Sequence, residues 1–200
     1  MTTLPEIAAP AWPLSTPLRT AFAKTPLAQW FAFLAWAQAR GYPPQAAESL
    51  VVELTDLRWR AAVAVNRKIN GISFGMETVD TWTLATDRHG EIIDGLCDCD
   101  TSALTKRWEL ARGGLWPLGA LRPAIVRIPL TRDELSVHMV LVLMTDQGAY
   151  VLDNRIPLIV PWRLAGNYGV PYTWYWLAGE SDRWLMIWSA DGRWHPGQDQ

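Results

Sequence analysis

The sequence predicts an α+β domain in which helices come first and an antiparallel sheet follows. Helical patterning dominates as far as Gly113-Gly114. Beyond residue 124 the period changes to short runs rich in β-branched and aliphatic residues, separated by turn signals too short to hold a crossover helix. Helices grouped ahead of strands argue for an antiparallel sheet and against a doubly wound parallel one.

Residues 1–24, rich in Pro, Thr and Ala, are expected to form an N-terminal arm. Thr25-Pro26 then supplies a helix cap with proline at the first helical position, and Gly41 stops the helix after Arg40. A second helix is expected from about Gln45 to Asn70-Gly71. Its buried stripe would be Leu50, Leu54, Leu57, Ala61 and Val65, spaced by three and four. Residues 71–97 are irregular. A third helix is expected to start at about Cys99, capped by Asp98, and to end at Gly113-Gly114. Strands are expected at 124–130, 138–145 and 149–154, the last two joined as a hairpin through Asp146-Gln147-Gly148. A second hairpin is expected to turn at Glu180-Ser181-Asp182. One domain, residues 25–190, thus lies between the arm and a polar tail, 191–200.

Composition narrows the function classes. Half of the residues are hydrophobic and 19% are charged, enough for a substantial core. A net charge of −2 gives no global basic field, so nucleic acid is not the expected partner. The most apolar stretch, Leu27 to Ala37, is far short of the roughly 20 residues a membrane span needs. The first residues show no basic segment followed by an apolar one, so no export signal is expected. Thirteen tryptophans are read as core filling and as part of a surface hairpin in preference to a ligand platform.

Only two cysteines occur, Cys97 and Cys99, too few for a disulfide framework. Zinc is not expected, because His89 is the sole additional soft ligand nearby and a structural site takes four. Cys99 at a helix start is where a nucleophilic thiol belongs, since unpaired backbone N–H groups and the helix dipole favour the anion. Asp98 and Asp100 flank it and act in the opposite direction. A base and its orienting carboxylate are then sought among His138 and Asp153. With a two- or four-residue loop around 146–149, paired residue numbers sum to an odd value. Asp153 then shares a face with His138, Val140 and Val142. A three-residue loop would put it on the other face. His89 and His195 are read as solvated.

These segments carry a resemblance. The string DCDTSALTK (98–106), then HMVLVL (138–143) and VLDN (151–154), resembles the bacterial transglutaminase-like cysteine proteinases. That family's nucleophile motif reads Gly-Asp-Cys-Glu-Asp-Tyr-Ala with a lysine three residues on. Asp98, Cys99, Ala103 and Lys106 match it, while Cys97, Thr101 and Ser102 depart from it. Upstream, VNRKIN (65–70) is similar to a paired-asparagine segment of the family, and Asp80-x-Trp82 to its Asp-x-Trp. The register selects Cys99 over Cys97 as nucleophile.

The resemblance implies a papain/transglutaminase-like core with a nucleophile-bearing helix packed on an antiparallel sheet. It implies a cysteine peptidase with Cys99, His138 and Asp153 as catalytic triad, acting on a protein substrate such as a surface adhesin. No cofactor is required by that chemistry, but the resemblance brings in calcium, with Asp98 and Asp100 as its ligands. It implies the periplasm, where the visible N-terminus suggests the cytoplasm. The backbone N–H of Cys99 would serve as one oxyanion donor, with Trp82 or a neighbour in 80–86 as the other. Two further readings stay open: amide transfer to an amine, and a catalytically silent protein-binding module.

Overall fold

Caps set where the helices begin. The computed structural model describes residues 24–42, 50–75, 81–93, 96–129, 135–167, 172–178 and 184–189. Residues 1–23 of the expected arm, and the expected tail, lie outside these. Helix α1 spans Lys24–Ala39, α2 Asp56–Asn70 and α3 Cys99–Arg112. Asp98 caps α3 through its side chain, which accepts from the Thr101 backbone N–H, and Gly113 follows the last turn.

The second helix begins later than the sequence suggests. Thr55 is its N-cap, accepting from the Arg58 N–H, so α2 starts at Asp56 and not near Gln45. The reason is tertiary. Val52 lies in extended conformation beside Thr145, with its N–H donating to the Met144 carbonyl, and the Leu54 N–H donates to the Asp146 carboxylate. Residues that read as a first helical turn are therefore spent on the sheet. The buried face of α2 is Ala62, Asn66 and Ile69, while Leu50 and Leu57 are exposed. Residues 43–49 lie outside the described ones.

Six strands form one antiparallel sheet: β1 (Leu121–Pro129), β2 (Leu135–Thr145), β3 (Gly148–Leu152), β4 (Val160–Pro161), β5 (Thr173–Ala178) and β6 (Trp184–Ser189). The order across it is β4-β3-β2-β1-β5-β6. Every residue from His138 to Thr145 is buried, so β2 has no solvated face and reads as a continuous apolar run. Helix α3 packs on β2 and β1, and α2 packs on α3. The architecture is α+β with a nucleophile-bearing helix on an antiparallel sheet, as expected.

Aromatic residues fill the space between these layers. Trp30, Trp82, Trp108, Trp116, Trp162, Trp174 and Trp184 are all buried, which is the core-filling role. Trp30 and Trp82 both meet Trp184, at 5.7 Å between ring centroids, and Tyr42 meets Trp108 edge-on at 4.9 Å. No helix among the described residues is long and apolar enough to cross a membrane.

The β2–β3 turn contains two residues, Asp146 and Gln147, because Thr145 pairs with Gly148. Gly148 has φ of +106°, a conformation that side-chain-bearing residues adopt only under strain. Gly148→Ala is expected to lower stability by about 1–3 kcal/mol, measured by urea unfolding. An unchanged midpoint would mean the turn can rebuild itself.

Candidate active site

The hairpin parity delivers the geometry that the sequence argument needed. Leu141 pairs with Leu152, which places Asp153 opposite Val140 and on the face of His138. His138 Nε2 and Asp153 Oδ1 are 2.9 Å apart, and both side chains are buried. Engaging Nε2 leaves Nδ1 as the ring nitrogen that can take a proton from elsewhere. Asp153 has two more donors: the Arg155 backbone N–H at 2.8 Å on Oδ1, and the Tyr172 hydroxyl on Oδ2. A carboxylate held by three donors cannot rotate away from the imidazole.

The loop that carries Asp153 is itself fixed from α2. Asn70 donates to the carbonyls of Asp153 (2.9 Å) and Ile156 (3.3 Å), and Asn66 donates to the Pro157 carbonyl (3.2 Å). One turn of helix separates the two asparagines, so both amides reach the same loop. This gives the paired-asparagine segment a physical role: it fixes the backbone under the carboxylate.

Cys99 is the first residue of α3 and is partly exposed, whereas Cys97 is 4% exposed and packs against Ile69 and Ala85. The Cys99 sulfur lies at the backbone N–H of Met139, the neighbour of His138 on β2. This brings the thiol to the strand that carries the imidazole. Cys97 is core packing and is turned away from reagents.

The helix start does not lower the thiol pKa here. Burial pushes Cys99 up to about 12, and Asp100 and Asp98 push the same way, against the lowering by the Met139 N–H. Burial is the larger effect because α3 sinks its first turn into the sheet: Asp100, Thr101 and Ser102 are all buried. At rest the site holds a neutral thiol, and its proton must leave in the reacting step. Asp100 Oδ1 accepts weakly from the Cys99 sulfur at 4.0 Å.

Segment 83–86 runs along α3, tied at successive turns. Thr83 meets the Thr101 hydroxyl at 3.4 Å, the Ala85 N–H donates to Thr105, and Thr86 donates to Glu109. Thr101, where the family motif has aspartate, is used in this strap. Trp82 packs its ring on Trp184 in the core. His89 is exposed at a turn, as expected, and His195 lies outside the described residues.

Asp98 and Asp100 were the residues expected to hold calcium. Asp98 Oδ1 caps α3 at 3.0 Å from the Thr101 N–H, and Asp100 is buried beside Cys99. No group of three or more His, Cys, Asp or Glu side chains suited to a metal occurs among the described residues. Two carboxylates with separate duties do not fit the six to eight oxygens calcium takes.

The site residues that the sequence argument did not single out are Tyr172, Asn66 and Asn70. Removing the Tyr172 hydroxyl leaves a buried carboxylate oxygen short of a donor. Tyr172→Phe should therefore lower stability by about 1.5–3 kcal/mol, read by urea unfolding at pH 7. A Tyr172→Phe protein as stable as wild type would show that bond to be unimportant. The Cys97 thiol, held at about 12 against an ordinary 9.0 mainly by burial, gives a pH signature. The folded protein keeps its proton where the unfolded chain has already lost one. The lead in stability of wild type over Cys97→Ala is thus full below pH 9 and shrinks from there towards pH 12. Urea unfolding of both proteins across that range measures it, and a constant lead would contradict it.

Residues 20–191 match the family model described as bacterial transglutaminase-like cysteine proteinase. No curated protein sequence matches the chain. Among solved structures, calcium-bound LapG of Legionella pneumophila has 20% identity over 64% of this chain and 67% of its own, with a TM-score of 0.48. LapG of the same organism gives 20% identity, 64% and 66% coverage and 0.46. Its EGTA-treated form gives 18%, 68% and 70%, and 0.49.

Proposed function

The chain belongs to the bacterial transglutaminase-like cysteine proteinases, and we propose that it cuts an amide bond in a protein substrate with Cys99, His138 and Asp153. The observation that carries this reading is the buried 2.9 Å contact between His138 Nε2 and Asp153, one residue away from the strand backbone that meets the Cys99 sulfur.

The chemistry follows from those positions. The neutral thiol of Cys99 gives its proton to His138 Nδ1 as the sulfur attacks the substrate carbonyl carbon. Asp153, fixed by three donors, holds the ring with Nε2–H directed at it and stabilises the imidazolium that forms. The backbone N–H of Cys99, at the open end of α3, faces the developing oxyanion. The imidazolium then protonates the amine, the carbon–nitrogen bond breaks, and a thioester on Cys99 remains. Water, deprotonated by His138, attacks that thioester; the acid product leaves and the thiol takes the proton back. An amine in place of water would give amide transfer with the same three groups.

A protein of the surface-adhesin class is the substrate that the family resemblance supports. For calcium, Asp98 and Asp100 would offer two oxygens, and no step is drawn through the ion.

His138→Ala is expected to slow iodoacetamide alkylation of Cys99 at pH 7 by about 100-fold, the low end of the range for a positioned base, followed by mass spectrometry. Cys99→Ala should abolish cleavage while still holding a protein that wild type cuts, recoverable by affinity capture. Undiminished alkylation in His138→Ala, or cleavage by Cys99→Ala, would overturn the assignment.

A further inference from the structure

Lys106 lies seven residues after Cys99 on α3, two turns along and on the same helical face. Its side chain is 0% exposed, and its ammonium has no hydrogen-bond partner among the described residues. Holding an amine there is unfavourable for the charged form, and burial pushes Lys106 down to about 7. Two groups pull it back up: Asp153, at the end of β3, and the thiol of Cys97. Those are the titratable groups whose charge acts on it, one from the sheet and one from the approach to α3.

Asp153 needs such a neighbour. Its three donors are the His138 ring, the Tyr172 hydroxyl and the Arg155 backbone N–H. While the imidazole is neutral, none of them brings a positive charge, and the carboxylate is 1% exposed. A buried anion with dipoles alone is costly, and a nearby cation removes most of that cost.

We propose that Lys106 is a positioning residue of the triad, its buried ammonium being the countercharge that keeps Asp153 a carboxylate directed at His138 while the imidazole is neutral. This rests on the triad reading above. It differs from a packing role, because methionine fills the same volume and replacing buried ionic groups by apolar ones is often neutral or stabilising. Removing the cation leaves the excess negative charge to be met by protons, so the His138–Asp153 pair holds a proton to higher pH.

The test is the pH dependence of Cys99 alkylation by iodoacetamide between pH 5 and 9, each protein normalised to its own high-pH plateau and the label located by fragmentation mass spectrometry. Lys106→Met and Lys106→Gln should fold, with thermal midpoints at or above wild type. Their alkylation midpoint should move up by about one pH unit, the low end of the effect of a near charge, giving roughly tenfold slower normalised labelling on the acid side. The difference should close by pH 9, where Lys106 of the wild type is itself neutral. A wild-type midpoint in either folded variant, or a downward shift, would overturn the proposal. So would failure of both to fold, which would make Lys106 a structural residue. Failure of the triad reading looks different: His138→Ala would then label as fast as wild type, whatever Lys106 does.

Discussion

The pairing of Thr145 with Gly148 fixes the parity of the whole β2–β3 hairpin, and with it the face of the sheet on which each side chain stands. A strand alternates its side chains with a period of two, so no later adjustment could bring Asp153 back beside His138 if the turn held one residue more. Asp146 reinforces the turn from outside. Its backbone N–H donates to the Val52 carbonyl and its carboxylate accepts from the Leu54 N–H. The segment leading into α2 is thereby attached to the tip of the same hairpin, and α2 in turn holds the loop after β3 through Asn66 and Asn70. The hairpin, the lead-in and the helix close a loop of constraints around one carboxylate.

Helix α3 shows how burial changes the chemistry of its residues. A helix N-terminus on a surface favours an anion, but α3 enters the core within its first turn, and desolvation outweighs the dipole at Cys99. The same helix buries Arg107 and Glu109. Arg107 is met by the Leu121 carbonyl and lies over the Trp30 ring at 5.5 Å. Glu109 is paired with Lys68 at 3.1 Å and Arg112 at 3.0 Å. Lys106 is the exception in this set, since its nearest compensation is a charge across the helix–sheet interface.

Local features were legible in the sequence wherever the determinant was local. The Asp98 cap, the glycines after Arg112 and the odd-sum hairpin were readable because each depends on a few neighbouring residues. The start of α2 was not, because it is decided by Val52 joining Thr145, 93 residues away in the chain. Tyr172 and Asn70 escaped for the same reason: their partner, Asp153, is 19 and 83 residues distant, and no periodicity encodes such a pairing. The rise in the Cys99 pKa depends on how deep α3 sits, which the sequence around it does not state. Lys106 did carry a readable signal, a lysine seven residues from the nucleophile on what proves to be a wholly buried helix face.

The asparagine clamp on the loop after β3 acts on main-chain oxygens of Asp153, Ile156 and Pro157, and not on their side chains. Carbonyls are the same whatever residue bears them. The loop's conformation is thus held independently of much of its own sequence, and the outward positions, such as the 60% exposed Leu158, can change identity without loosening the carboxylate two turns of chain away. The rim next to the reacting groups is in this sense decoupled from the machinery it borders, and can drift in its surface chemistry while the bond-making geometry stays put.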